Sequence, residues 1–120
     1  MTDHLFHIVA RSTWATALMI GEYRPPSLAD EGYVHFSFAD QVTRSVRVHF
    51  AGQSGLCVLE VDPGRLPGPV VVEDTHGAGT AFPHLYAAVP LDAVVALREV
   101  DDPLFSAGAG GAAAPASTDR

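Results

Sequence analysis

The sequence predicts an α+β domain. Three observations lead there. A strand-like run, LFHIV, is followed by a helix-spaced segment. A second strand-like run, YVHFSF, is followed by another helical stripe. After Gly52 the apolar runs are of strand length and are separated by Pro- and Gly-containing turns. Helices early and strands late argue against a wound parallel sheet, in which the two alternate to the end.

Residues 5–9 form the first expected strand, with Phe6 and Ile8 on one face and Leu5, His7 and Val9 on the other, because side chains alternate along a strand. Ser12 or Thr13 is expected to cap a helix over residues 14–20, its hydroxyl accepting from a free first-turn amide. Trp14, Leu18 and Met19 fall at helical spacing and are expected to pack inward. Gly21 suits the left-handed position just past a helix end. Pro25-Pro26 then points to an extended or turning backbone, and Asp30-Glu31-Gly32 reads as a turn. A strand over 33–38 turns Val34, Phe36 and Phe38 to the core and Tyr33, His35 and Ser37 to the opposite face. An ordinary half-buried strand needs no His and Ser side by side on its outer face, so this row is the best functional clue in the chain.

Residues 39–50 read as helix, with Val42, Val46, His49 and Phe50 forming a stripe and Asp40 in the first turn, where its charge suits the helix dipole. Leu56–Val61 reads as a central strand whose Glu60 needs a partner if buried. Asp62-Pro63-Gly64 is a turn signal, Val70–Glu73 a strand, 74–80 a loop, FPHLY a mixed stretch and 94–100 the last strand. Residues 1–102 are read as one domain. From Pro103 the chain is Ala, Gly, Ser and Pro with no large apolar group after Phe105, so 103–120 is expected to be a disordered tail.

The formal net charge is −7, with 48% hydrophobic residues. That content supports a core, and the acidic balance makes nucleic-acid binding an unfavoured expectation. Cys57 stands alone in an apolar run and reads as a small core residue. No apolar run nears the ~20 residues that span a bilayer, and MTDHLFH lacks the pattern of a signal peptide. A cytoplasmic protein without membrane attachment is expected.

The six histidines carry the chemical interest. His4 lies near the start, His49 on the helix stripe and His76 in a loop, and each has a bland reading. His7, His35 and His84 each sit in a strand-like segment beside aromatics, positions that can converge on one pocket or simply be core. Three imidazoles suit zinc, but no HxH or HxxxH spacing is present, so no metal is expected. Ser37 can share a hydrogen bond with His35 or cap the following helix. There is no nucleophile elbow and no phosphate loop or dinucleotide fingerprint. Glu73, ending a strand, is a candidate base or hydroxyl-orienting group. Tyr23, Tyr33 and Tyr86 offer rings that can stack.

At LFHIVARSTWATA, GEYRPPSLADEGYVHFSFADQV, LEVDP and FPHLY the chain resembles the bacterial family called domain of unknown function 952, over about residues 5–100. That resemblance implies an ADP-ribosyltransferase-like fold, a split and mostly antiparallel sheet related to the RNA 2′-phosphotransferases, with a cleft that holds NAD. His7 resembles the first-strand histidine that contacts the nicotinamide-side ribose, and His35 with Ser37 resembles the second histidine strand of the phosphotransferases. FPHLY, with His84 and Tyr86, is typical of the family. The chain departs at Phe38, where a small hydroxyl residue is usual, and at Ala87, where Gly is usual. On this basis His35, His84, Glu73 and Ser37 are the expected catalytic residues. His7, Tyr33, Tyr86, Ser27, Arg24 and Gln41 are the expected cofactor contacts.

Three functions remain open on the sequence. The first is an enzyme of ADP-ribosyl transfer that uses NAD, cleaving a glycosidic bond with a carboxylate near the developing charge. The second is a pocket without NAD chemistry that binds a small molecule or nucleotide, or uses a histidine as general base. The third is a non-enzymatic interaction module.

Overall fold

The computed structural model describes residues 3–75, 77 and 79–105. Among the described residues six strands form two antiparallel sheets of three. In the first, β1 (Leu5–Ala10) and β6 (Val94–Arg98) flank the central β3 (Leu56–Val61). In the second, β2 (Val34–His35) and β4 (Val70–Glu73) flank β5 (Phe82–Leu85). The helices are α1 (Arg11–Ile20), α2 (Pro26–Glu31) and α3 (Val42–His49). The fold class is therefore α+β with antiparallel sheets, with three early helices rather than two.

The two sheets touch along one edge. Phe6 of β1 and Ser37, just beyond β2, exchange both backbone hydrogen bonds at 2.9 and 2.7 Å. The pairing is an isolated bridge: past Ser37 the backbone turns into a 3₁₀ segment, Ala39–Gln41, and the rest of β1, from His7 on, is not laddered to β2. The gap that opens there positions the site.

The alternation read from the first strand sorts the core. Leu5 and Val9 pack with Trp14, Val34, Phe36, Leu59 and Leu85, while Phe6 packs with Val42, Val58 and Phe105 on the other side. Phe105 is wholly buried and meets Phe6 edge-on, ring centroids 5.1 Å apart. The folded unit thus continues through Phe105, three residues past the boundary expected at 102. The rest of the expected tail, 106–120, and His76 lie outside the described residues.

Several local readings change for physical reasons. The first helix starts at Arg11, with no side-chain cap from Ser12 or Thr13. Arg11 donates its amide to the Gly55 carbonyl at 2.8 Å, so a tertiary contact satisfies a first-turn amide that a cap would otherwise serve. Trp14 and Ala17 are the residues that α1 buries, and Leu18 and Met19 are exposed. Pro25-Pro26 starts a helix rather than forbidding one: Pro25 is the extended residue before α2 and Pro26 opens it, where the missing N–H costs nothing. Asp30 and Glu31 therefore end a helix, and Gly32 closes it at φ 89°.

The strand expected over 33–38 keeps only Val34–His35 as regular ladder, although Phe36 still donates to the Pro83 carbonyl at 2.9 Å. In α3, Val42 and Ser45 are buried and His49 is exposed, so His49 does not belong to the apolar stripe. The side chain of Gln41 reaches back to accept from the Phe38 amide at 3.0 Å. That leaves Ser37 free of capping, and its hydroxyl pairs with Ser45 at 3.2 Å in the interior. The expected need of Glu60 is met: His4 Nδ1 and Arg98 Nε both lie 2.5 Å from its carboxylate. Burial raises its pKa, but these contacts outweigh it and hold the group below the usual range. Cys57 is wholly buried, and no helix among the described residues is long and apolar enough to cross a membrane.

Candidate functional site

The gap between the sheets is a cavity of about 790 Å³. Four imidazoles line it: His7 from β1, His35 from β2, His84 from β5 and, at its α3 side, the exposed His49. The three strand histidines converge because His35 and His84 are direct register partners across β2 and β5, and β1 approaches β2 through the Phe6–Ser37 bridge.

The His35 and His84 rings lie 5.1 Å apart and nearly perpendicular. Tyr33 stacks on His84 at 4.1 Å and meets His35 edge-on at 4.8 Å. Tyr86 leans on Tyr33 at 5.3 Å. Each histidine of this cluster has a carboxylate. His35 Nε2 is 2.7 Å from Glu31, and His84 Nδ1 is 2.9 Å from Glu73. A carboxylate only accepts, so Nδ1 of His84 carries the proton in the neutral ring and Nε2 is left as an acceptor. Among the described residues no protein group bonds that Nε2, although His84 is 2% exposed.

Glu73 also accepts from the Tyr86 hydroxyl. The hydrogen bonds from Tyr86 and then His84 hold its pKa below the usual carboxylate range, so it stays ionised at neutral pH. The same contact pushes the Tyr86 phenol up to about 12. An ionised carboxylate, an imidazole and an uncharged hydroxyl therefore stand side by side.

His7 is different. Its Nδ1 is 2.6 Å from the His35 carbonyl and its Nε2 is 2.5 Å from the Tyr23 hydroxyl. A carbonyl only accepts, so Nδ1 donates to it and Nε2 accepts from Tyr23. With both nitrogens engaged, His7 ties β1 to β2 and presents ring surface to the cavity. Burial lowers its pKa to about 4, against the opposing effect of the hydrogen bond to the His35 carbonyl. Tyr23→Phe removes the donor and leaves a buried nitrogen unpaired, which costs about 1–3 kcal/mol. Chemical denaturation of the variant checks this, and a loss under ~0.5 kcal/mol contradicts the assigned bond.

Of the residues expected from the sequence, His7, His35, His84, Glu73, Ser37 and Ser27 line one cavity. Tyr33 and Tyr86 are not among the lining residues; Tyr33 stacks on His84, and Tyr86 leans on Tyr33. Arg24 and Gln41 are not brought in. Arg24 pairs with Glu22 at 2.8 Å. Gln41 donates to the Ala81 carbonyl at 2.9 Å while accepting from Phe38, which uses both ends of its amide. Contributors not foreseen include Glu31 as partner of His35, and His49, Asp74 and Thr75 in the lining. Thr75 also meets the Tyr33 hydroxyl at 2.7 Å. Among the described residues no group of three His, Cys, Asp or Glu side chains is placed to hold a metal.

Residues 8–97 match the family model described as a protein of unknown function, DUF952. The chain belongs to the DUF952 family. The matched span takes in His35, His84 and Glu73 and starts one residue after His7. Protein CC0527 from Caulobacter crescentus, a structural-genomics target, is similar in fold. Its crystal structure aligns with a TM-score of 0.69 at 26% identity, covering 78% of this chain and 82% of that one. Its solution structure aligns with the same TM-score and identity over 80% and 83%. No curated protein matches this DUF952 chain in sequence.

Proposed function

We propose that this DUF952 protein is an enzyme acting on a nucleotide-like ligand in the histidine-lined cleft, with NAD as the cofactor of an ADP-ribosyltransferase-like fold. One observation carries the proposal: His7, His35 and His84, far apart in sequence, line a single cavity where the two sheets part. The meeting of two antiparallel sheets along one edge supports the fold reading. The cavity volume, about 790 Å³, lies within the range of small-molecule and cofactor sites, about 300–1,000 Å³.

The lining suits the nicotinamide-ribose half of NAD. Phe36 and Phe82 offer apolar walls, and Ser27 and Thr75 offer hydroxyls. Bound NAD supplies a glycosidic bond whose breaking leaves positive charge on the ribose. The ionised Glu73 is fixed by Tyr86 and His84 without reorganising, so its charge is preorganised to stabilise a developing cation. His84 Nε2 accepts a proton or a hydrogen bond from a hydroxyl.

The Glu73–His84 pair also favours a second reading, general acid/base catalysis on a small molecule without NAD. Glu73 orients the ring and His84 Nε2 takes the proton. Calorimetric titration separates the two. The NAD reading expects binding heat at or below millimolar NAD, weakened about tenfold or more in His84→Gln. Absence of both heat and thermal shift at millimolar NAD contradicts it, and leaves the acid/base reading.

A further inference from the structure

We infer that the cavity admits only an uncharged or cationic portion of its ligand, one that presents a hydroxyl or N–H donor, and that any phosphate stays outside. This rests on reading the cleft as the site of a nucleotide-like ligand, and names which part of that ligand enters.

The first observation is charge. Glu31, Glu73 and Asp74 line the cavity. No Arg or Lys does so among the described residues. The chain has no lysine, and all seven of its basic residues are arginines. Arg11, Arg24, Arg65 and Arg98 are paired with Glu99, Glu22, Asp62 and Glu60 respectively. Arg44 and Arg47 are exposed on α3 and are not among the lining residues, although Ser45 and His49 of the same helix are; Arg120 lies outside the described residues. His7 stays neutral at physiological pH because its burial lowers its pKa to about 4. A phosphate in this space meets like charge at short range and no fixed cation, which is the opposite of an anion site.

The second observation is hydrogen-bond polarity, and it is independent of the first. His84 Nε2 is a buried acceptor without a protein partner among the described residues, on a residue that lines the cavity. The Tyr33 ring covers one face of that imidazole, so a ligand reaches it by its edge, where the lone pair lies. A buried acceptor calls for a donor. A phosphate oxygen ionised at neutral pH offers none; a sugar hydroxyl, an amide N–H or an ammonium does. A nucleoside moiety with its sugar hydroxyls, or an amine-bearing ring, meets both requirements.

The test is calorimetric titration of the whole chain with NAD, nicotinamide riboside and ADP. The expected result is nicotinamide riboside binding within about tenfold of NAD, with ADP weaker than the riboside. Binding of NAD with the riboside weaker by more than about tenfold, or ADP binding as tightly as the riboside, overturns the inference while the cleft remains a nucleotide site. If neither NAD nor the riboside binds, the nucleotide reading falls and this inference with it.

Discussion

Lowering the pH from neutral to below 4 will weaken the fold by on the order of 3 kcal/mol through His7 alone, with about two-thirds of that loss reached by pH 5. Folding depresses the imidazole from its ordinary 6.5 to about 4. Between those values the unfolded chain binds the proton and the folded chain does not. Stability is therefore fully present above pH 6.5, falls as the pH drops through the window, and levels off below about 4. The cause is the burial of a ring whose Nδ1 must donate to His35 and whose Nε2 accepts from Tyr23. Glu60 and Glu73 are held below the usual carboxylate range, and the share of the slope from 6.5 to 5 that belongs to His7 is read by difference from a variant. Urea denaturation at half-unit pH steps measures it, and His7→Gln should flatten that slope. A His7→Gln slope equal to that of the wild type from pH 7 to 5 contradicts the neutral, buried His7.

Phe105→Ala will destabilise the chain by about 3–5 kcal/mol, the range for removing a fully buried aromatic ring. Phe105 closes the smaller core cluster with Phe6, Val42 and Val58. Phe6 also lines the cavity, so the ring at the end of the described chain supports one wall of the site. Thermal or urea denaturation decides it. A loss below ~1 kcal/mol means that Phe105 is not part of the fold.

Part of the strand framework was readable from sequence, because alternation in LFHIV and short apolar runs between turn signals elsewhere are local properties; the His84 strand, in FPHLY, read only as a mixed stretch. LFHIV, LCVLEV and VVVE needed only their own side chains to be placed, and all three are strands. Readings that rested on a capping rule or an apolar stripe fared worse where tertiary contacts decide. Ser12 had no work to do once Gly55 met the Arg11 amide. Leu18 and Met19 have helical spacing relative to Trp14, yet only Trp14 and Ala17 face the sheet. Pro25-Pro26 points away from helix only by the rule for helix interiors, and the pair stands at a helix start, where that rule does not hold. Phe105 looked like the last greasy residue of a tail because its partner, Phe6, is nearly the whole chain away.

The same limit governs the site. His7, His35, His84 and Glu73 could be singled out by type and by setting. Their pairings could not. Glu31 belongs to His35 only because Gly32 reverses the chain between a helix end and a strand. Tyr23 reaches His7 across a helix and a turn. Arg24, in the sequence next to Tyr23, points instead to Glu22. Nothing in the order of residues distinguishes the tyrosine that turns in from the arginine that turns out.

Histidine-selective NMR during titration with NAD and with nicotinamide riboside tests most directly whether the imidazoles surround a ligand. The account predicts that the ring nitrogens of His84 and His35 shift together to one saturation point, with the largest change at His84 Nε2. His4, paired with Glu60 and absent from the cavity lining, should not move. No shift at His84 with either compound, or shifts of equal size at His4, would contradict a binding site at this cleft.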